Sequence, residues 1–358
     1  MTKKKICFIF GHFQPDDGVC RSVVAMANIL NRKKNVQVDL IPLYRFKKKT
    51  LSLLDSGVNV LPIFRTYFKG LSRLLSCCPS ILLYKLIIRK KYDIEIAFQY
   101  DIPTKIISAS TNRTAQHLVW MHGYDYGLTN LQYYIKYDKL ITVSKFNAER
   151  FFRESNQVMK VDYCYNPIDE TNIIEQGRED VDILNDNLLK FIVVGRLSPE
   201  KGYVRLVNIC KLLHGEGFKF HLYIVGDGPM RDEVKKQTMG DSYITMLGSQ
   251  INPYKYISKC DMMICSSFSE GYSTVCVEAT MLGVPILSTS VSGADEIVFD
   301  AGAGMVVGMT DDDLYHGIKH VLSTPNIIAE WKCLVDKNKY KFFQMNRAKR
   351  LYTILNLD

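Results

Sequence analysis

The sequence predicts an α/β protein made of two doubly wound, parallel-sheet, Rossmann-like domains, and three observations carry that expectation. The chain has 358 residues, more than one hydrophobic core usually organises. Short apolar, β-rich runs alternate with helical patterns along most of its length, the sign of βαβ units feeding a parallel sheet. That alternation lapses once, in the polar, acidic stretch 170–187, and then starts afresh. With 47% hydrophobic, 23% charged and 11% aromatic residues the chain has ample core material, and no segment is biased enough to be disordered.

The first domain, 1–169, opens with a basic start and the run Ile6-Cys7-Phe8-Ile9-Phe10. This run is about half the length that a signal sequence would favour, so it reads as a first buried strand. A helix of period near 3.6 follows at 20–31, and further strands are expected at 36–40, 94–98, 118–121, 140–143 and 161–165. Tyr165-Asn166-Pro167-Ile168-Asp169 closes the series as a hinge, because proline fixes the direction of the turn. A linker at 170–189 leads to the second domain, 190–339. Its strands fall at 191–194, 220–225, 244–247, 262–265 and 286–288, with helices at 203–213, from Met230, and at 274–282. The last segment, 340–358, reads as a basic helix packing back across the domain junction. The carboxyl ends of the two sheets are expected to face a common cleft, which is where open α/β sheets bind ligands.

No stretch approaches the roughly 20 apolar residues of a membrane span, so the expected location is the cytoplasm. The ten cysteines include one close pair, Cys77-Cys78, and show no metal-ligand spacing, so they read as reduced thiols with no zinc site. Charge is uneven: through Glu170 there are 26 Lys and Arg against 14 Asp and Glu, and from Thr171 onward 20 against 23. Between Tyr44 and Lys91 stand 11 basic residues and one acid, Asp55, interleaved with Phe46, Phe64, Tyr67, Phe68, Leu71, Leu74 and Leu75. Such a mixture suits an anionic lipid surface; the alternative is a solvated helix pair over the first sheet. No nucleic-acid module accompanies the charge.

The chemistry is concentrated in two loops of the second half. After the strand at 191–194 comes Gly195-Arg196-Leu197-Ser198-Pro199-Glu200-Lys201-Gly202, a tight turn into a helix with two cations five residues apart. A guanidinium grips phosphate oxygens as a fork, an ammonium neutralises a second group, and a helix N-terminus adds amide donors, so this is the chemistry of a diphosphate clamp. The alternative is surface charge beside turn glycines. After the strand at 262–265 comes Ser266-Ser267-Phe268-Ser269-Glu270-Gly271-Tyr272-Ser273-Thr274-Val275-Cys276-Val277-Glu278-Ala279. Carboxylates accept paired hydroxyls from a ribose or hexose, and the amides near Ser273 and Thr274 suit phosphate. Taken singly, Glu278 could serve only the helix dipole and Glu270 only solvation.

These two loops, with Val225-Gly226-Asp227-Gly228-Pro229 and Gly283-Val284-Pro285-Ile286, resemble in order and spacing the family-four retaining glycosyltransferases of the GT-B fold, over about 190–307. The resemblance implies that Arg196 and Lys201, next to Gly195, bind the donor diphosphate. It implies that Glu270 contacts the transferred sugar and Glu278 the ribose, with Gly271, Tyr272, Ser273 and Thr274 supplying backbone amides. The family more often has Phe-Gly-Leu where this chain has Tyr272-Ser273-Thr274. In the first half Asp17-Gly18-Val19 resembles the acceptor loop, with Gly18 where members often carry two glycines. His122, in Trp120-Met121-His122-Gly123, matches a histidine that approaches the donor sugar; the alternative is a structural histidine.

The resemblance further implies transfer with retention at the anomeric carbon, by front-face attack, from a nucleotide-sugar whose default base is uridine. The acceptor it implies is a glycan or lipid-linked glycan, in bacterial surface polysaccharide synthesis, with the enzyme peripheral on the inner face of the cell membrane. Stabilisation of the leaving diphosphate then carries the catalysis, without a side-chain general base and with no metal required. Asp311-Asp312-Asp313 reads as a helix start. Two rivals stand beside this reading. A nicotinamide oxidoreductase lacks its fingerprint, since neither Gly11-His12-Phe13 nor Gly226-Asp227-Gly228 completes G-x-G-x-x-G. A non-catalytic partner subunit would have no use for Arg196, Lys201, Glu270 and Glu278 together.

Overall fold

The computed structural model describes residues 3–15, 17–123, 130–181 and 187–357. It divides into two compact units, one formed by Met1–Ile168 with Arg347–Asp358, the other by Asp169–Asn346.

The first unit is built on seven parallel strands: β1 (Lys4–Phe10), β2 (Val36–Pro42), β3 (Asn59–Val60), β4 (Ile94–Ala97), β5 (Gln116–Met121), β6 (Lys139–Thr142) and β7 (Val161–Tyr163). Their order is β3-β2-β1-β4-β5-β6-β7, so the direction of winding reverses between β1 and β4. Ile6 faces Val38 on one side and Ile94 on the other. Ile6 through Phe10 are wholly buried, as a central parallel strand covered on both faces requires. The helix Gly18–Asn31 buries Cys20, Val23, Val24, Ala27 and Leu30 at helical spacing, and the Asp17 carboxylate caps it by accepting from the Cys20 amide at 2.8 Å.

The second unit repeats the plan with β8 (Leu189–Val194), β9 (Phe220–Val225), β10 (Ile244–Gly248), β11 (Met262–Cys265), β12 (Ile286–Thr289) and β13 (Met305–Val307). The order β10-β9-β8-β11-β12-β13 again reverses once, between β8 and β11. Phe191, Leu206, Leu222, Ile264, Leu287 and Ile318 are central to its core. The acidic run at 311–313 opens the helix Asp311–Ser323, where Thr310 and Asp313 close a capping box.

Two expectations change, those of the linker and of the basic segment. The stretch expected to be a linker begins with a helix, Glu170–Gly177, because Asp169 caps it by accepting from the Thr171 amide at 3.1 Å. Ile173 is buried, and the Ser258 and Asn252 side chains donate to the carbonyls of Gly177 and Gln176 at 2.6 and 2.9 Å. Within that stretch 182–186 lie outside the described residues. The helix near the end of the chain, Gln344–Ile354, fastens to the edge of the first sheet: Arg350 donates to the Tyr163 carbonyl at 2.6 Å and lies over its ring at 3.7 Å. In the basic segment Leu71 and Leu75 are core residues, not surface ones. The apolar side chains that face solvent there include Leu51 and Leu53 and, on and beside the helices Leu71–Cys77 and Ser80–Ile87, Phe68, Leu74, Ile81, Leu82 and Leu86.

Candidate functional site

In the second unit the two chemistry-bearing loops leave the carboxyl ends of β8 and β11, the two strands between which the winding reverses. Open α/β sheets leave a crevice for ligands at this position. Gly202, at φ +67°, lets the loop after β8 press onto the loop after β11, since a β-carbon there would stand 2.3 Å from the Ser266 carbonyl oxygen. Gly226 likewise lets the loop after β9 press onto the loop after β8, with 1.8 Å to the Gly195 oxygen.

Polar bonds then fix this contact. The Ser266 hydroxyl donates to the Lys201 carbonyl at 2.9 Å and the Phe268 amide to the Glu200 carbonyl at 2.7 Å. Lys201 Nζ meets Glu270 Oε1 at 2.7 Å, and the Ser267 hydroxyl donates to the same oxygen at 2.8 Å. Burial alone would favour the neutral amine of Lys201, but the adjacent Glu270 charge and hydrogen bond outweigh it and raise its pKa, so the lysine stays an ammonium. Glu270 Oε2 has no hydrogen-bond partner among the described residues and is free to accept from a ligand hydroxyl. Arg196, in the same loop as Lys201, is exposed and has no ion-pair partner among the described residues.

The remaining members follow along the helix Thr274–Met281. Tyr272 is buried and its ring lies close against Gly293, where a β-carbon would stand 2.4 Å from Cδ2. Ser273 occupies the N-cap without making a capping bond, and Thr274 is exposed. Glu278 is 7% exposed and accepts from the Tyr254 hydroxyl at 3.2 Å. The structure therefore brings Gly195, Lys201, Glu270 and Gly271 together around one pair of loops, with Glu278 one helical turn farther along.

Gly18 and His122 belong to the first unit. Gly18 is exposed, and a β-carbon there would meet nothing within 4 Å, so neither packing nor backbone geometry demands glycine. His122 follows β5; burial lowers its pKa to about 3, against a hydrogen bond with the Phe98 backbone that acts in the other direction. Its ring meets Phe98 edge-on at 4.6 Å, and Nε2 is inaccessible and without a partner.

Two groups escaped sequence reasoning. Arg205 lies inside a helix, Tyr203–Gly215, whose pattern gives no hint that a guanidinium is 6% exposed and tied to the loop after β11. At the winding reversal of the first unit, His12, Tyr44 and Tyr67 form a triangle of rings with centroids 5.3–5.5 Å apart. Gln99 accepts from the Gly11 amide at 2.9 Å beside it, and Asp101 adopts φ +70°, rare for a residue with a side chain. The dipeptide Gly11-His12 after a strand was a signal for this cluster; the partners supplied by Tyr44 and Tyr67 were not. Among the described residues no three His, Cys, Asp or Glu side chains group to hold a metal ion. Nor is any described helix long and apolar enough to cross a membrane.

Residues 176–333 match the family model described as glycosyl transferases group 1. An N-acetylgalactosaminyltransferase of Campylobacter jejuni, named for an N,N'-diacetylbacillosaminyl-diphospho-undecaprenol substrate, is 31% identical over 206 residues. That alignment covers 56% of this chain and 54% of the relative, so the chain spans about half the length of that protein. The O-antigen biosynthesis glycosyltransferase WbnH of Escherichia coli is 32% identical over 125 residues, 35% of each chain. The crystal structure of Anabaena Alr3699/HepE in complex with UDP and glucose superposes over 99% of both chains with a TM-score of 0.72 at 17% identity, a likeness of fold. With two parallel sheets of Rossmann order and a neighbour that superposes along the whole chain, this protein has the GT-B fold, and its second unit resembles the group 1 glycosyl transferases over residues 176–333.

Proposed function

We propose that this protein transfers a sugar, with retention at the anomeric carbon, from a UDP-sugar to a lipid-linked glycan during synthesis of a bacterial surface polysaccharide. The observation that carries the reading is the Lys201–Glu270 pair, held at 2.7 Å by Ser267 and by the touching loops after β8 and β11. In this reading Lys201 and Arg196 take the donor diphosphate. Charge accumulates on its oxygens as the anomeric bond breaks, and an ammonium already fixed in place stabilises that charge without reorganising. The amides at the start of the helix Thr274–Met281 contribute in the same sense. The free oxygen of Glu270 accepts a sugar hydroxyl, and Glu278 the ribose hydroxyls. His122, held neutral by burial, is assigned to a sugar hydroxyl on the family resemblance alone, since its Nε2 is inaccessible here. The leaving diphosphate helps to deprotonate the acceptor, and no step is assigned to a metal. The UDP assignment is supported by the Anabaena neighbour, whose structure holds UDP and glucose, and the lipid-linked acceptor by the substrate in the Campylobacter relative's name.

On the acceptor side we assign Gly18 and the His12–Tyr44–Tyr67 rings, and we place the protein on the cytoplasmic leaflet through its basic, aromatic segment. Phe68, Leu74, Ile81, Leu82 and Leu86 face solvent among Lys69, Arg73, Lys85 and Arg89, and each basic side chain adds about 1 kcal/mol near an anionic surface. Mass-spectrometric transfer assays with several UDP- and GDP-sugars on a lipid-linked acceptor test the reaction, with NMR of the product reading the anomer. Transfer from a UDP-sugar with retention is expected; absence of transfer from every donor, or inversion, defeats the reading. Sedimentation with anionic vesicles tests the surface: the triple change of Lys47, Lys48 and Lys49 to Glu should release the protein, as should high salt.

A further inference from the structure

Arg205 is a buried cation of the second unit bonded to three backbone carbonyls, and none of the roles above uses it. Its Nε and Nη2 donate to the Ser266 carbonyl at 3.0 and 2.6 Å, Nη2 also to the Ser267 carbonyl at 3.2 Å, and Nη1 to the Met309 carbonyl at 2.8 Å. The guanidinium plane lies 3.7 Å from the Phe268 ring, and Asp311 stands 3.6 Å from Nη1. One side chain thus joins its own helix, which continues the loop after β8, to the loops after β11 and β13. A planar fork with five donors can hold several carbonyls at fixed angles; an ammonium cannot.

From these contacts we infer that Arg205 is a positioning residue for sugar transfer: it holds the segment from Ser266 to Glu270 so that the Glu270 carboxylate meets the sugar. The inference rests on the transfer reading and deepens it. The segment turns away from β11 immediately after Cys265, and there the Ser266 carbonyl accepts from Arg205 while the Ser267 carbonyl is shared between Arg205 and the Thr289 hydroxyl of β12. Without the guanidinium, the Ser266 carbonyl loses both of its donated bonds while the Ser267 carbonyl keeps only the Thr289 hydroxyl at 2.6 Å, and the segment must shift for Ser266 to reach water. Glu278 is held separately, inside the helix Thr274–Met281 and by Tyr254. The loss should therefore fall on the sugar and spare the nucleotide.

The test is Arg205→Met, which keeps the length and apolar stem, beside Arg205→Lys. For Arg205→Met, kcat with the UDP-sugar should fall about tenfold or more, as a displacement of about an ångström at a reacting group does. UDP affinity by calorimetry should stay within about twofold, because it reports contacts made equally in ground and transition states. Arg205→Lys should recover part of kcat. Amide exchange by mass spectrometry should quicken at 266–271 in Arg205→Met while staying unchanged in β8 and β9. A wild-type kcat in a folded Arg205→Met, or a loss of UDP affinity proportional to the loss of kcat, overturns the inference. If Arg205→Met does not fold, Phe268→Leu removes only the stacking face of a half-exposed ring; it should lower kcat in the same sense, and an unchanged kcat there also refutes the role. The exchange readout needs no turnover, so a wild-type protein that transfers no sugar sinks the transfer reading while the loop measurement still decides on Arg205.

Discussion

At the winding reversal of the first unit the chain gathers rings, His12, Tyr44 and Tyr67, whereas at the corresponding reversal of the second it gathers charges, Lys201, Glu270 and Arg205. The strand order around both is the same. A half-buried charge is costly unless paired, so the second reversal is cross-tied: Lys201, Glu270 and Arg205 are each bonded to another loop. Rigidity is a by-product of satisfying those charges. The ring cluster has no such obligation, since burial pulls the pKa of His12 down toward the neutral form and the tyrosines make few directional bonds. Fixed charge suits a diphosphate, which concentrates negative charge on a few oxygens; a ring platform suits the face of a sugar, which can slide.

Breaking the charged side should have the larger effect. Lys201→Met removes the cation we propose for the transition state and strands Glu270, so kcat should fall about 100- to 1000-fold in steady-state transfer assays. Arg196→Ala, which removes an exposed and unpaired cation, should cost about tenfold. Equal losses in the two would mean that the pairing of Lys201 with Glu270 contributes nothing. On the ring side, Tyr67→Ala should raise the acceptor KM by about three- to tenfold and leave the UDP-sugar KM alone, as expected for loss of one stacking face. A change confined to the donor KM would dissolve the contrast between the reversals.

The smallest effect concerns pH. Because burial holds the folded pKa of His122 near 3, well below its unfolded value, the unfolded chain takes up a proton below about pH 6.5 that the native state refuses. Stability is therefore fully present above that pH and declines as pH falls toward 3. Between pH 7 and 5 His122 should cost about 1–2 kcal/mol, a figure lowered here because the residue keeps some surface. The chain has two tryptophans, so Trp331→Phe leaves Trp120, in β5, as the reporter of the first unit. Urea unfolding followed there should shift less with pH in His122→Gln than in the parent; an identical shift would show that His122 titrates normally.

Much of this architecture was legible because parallel strands buried on both faces leave unbroken apolar runs, as in Ile6-Cys7-Phe8-Ile9-Phe10, and because glycines such as Gly202 mark places where loops touch. β3 was not legible: two residues, Asn59 and Val60, carry no periodicity. The helix Glu170–Gly177 was hidden by its own polarity, although Asp169 with Thr171 and Asn172 carried a capping signal. Leu71 and Leu75 were indistinguishable in the sequence from Leu74, which faces solvent, because the rotation of a short helix is set by what it packs against. The pairing of Lys201 with Glu270 spans 69 positions, and no local pattern encodes which carboxylate answers which cation. Arg205 was invisible for the same reason: its partners are carbonyls, which every residue has.

The fastening of the last helix to the first sheet has a consequence for the order in which the protein is made. Lys4 donates to the carbonyls of Leu355 and Asn356 at 2.9 and 3.1 Å, and Arg347 to that of Asn166 at 3.2 Å, so the first unit is threaded through both ends of the described chain. The second unit is a continuous stretch and can close its core on the ribosome as soon as it has emerged; the first, although translated earlier, must wait for its final helix. A fragment ending at Ile168 is thus an unfinished domain with the edge of β7 uncovered, whereas 169–346 can be excised whole. Linking Asn356 to Lys4, which touch, and reopening the chain between 168 and 169 would make both units contiguous, and such a permutant should complete its first unit without that delay.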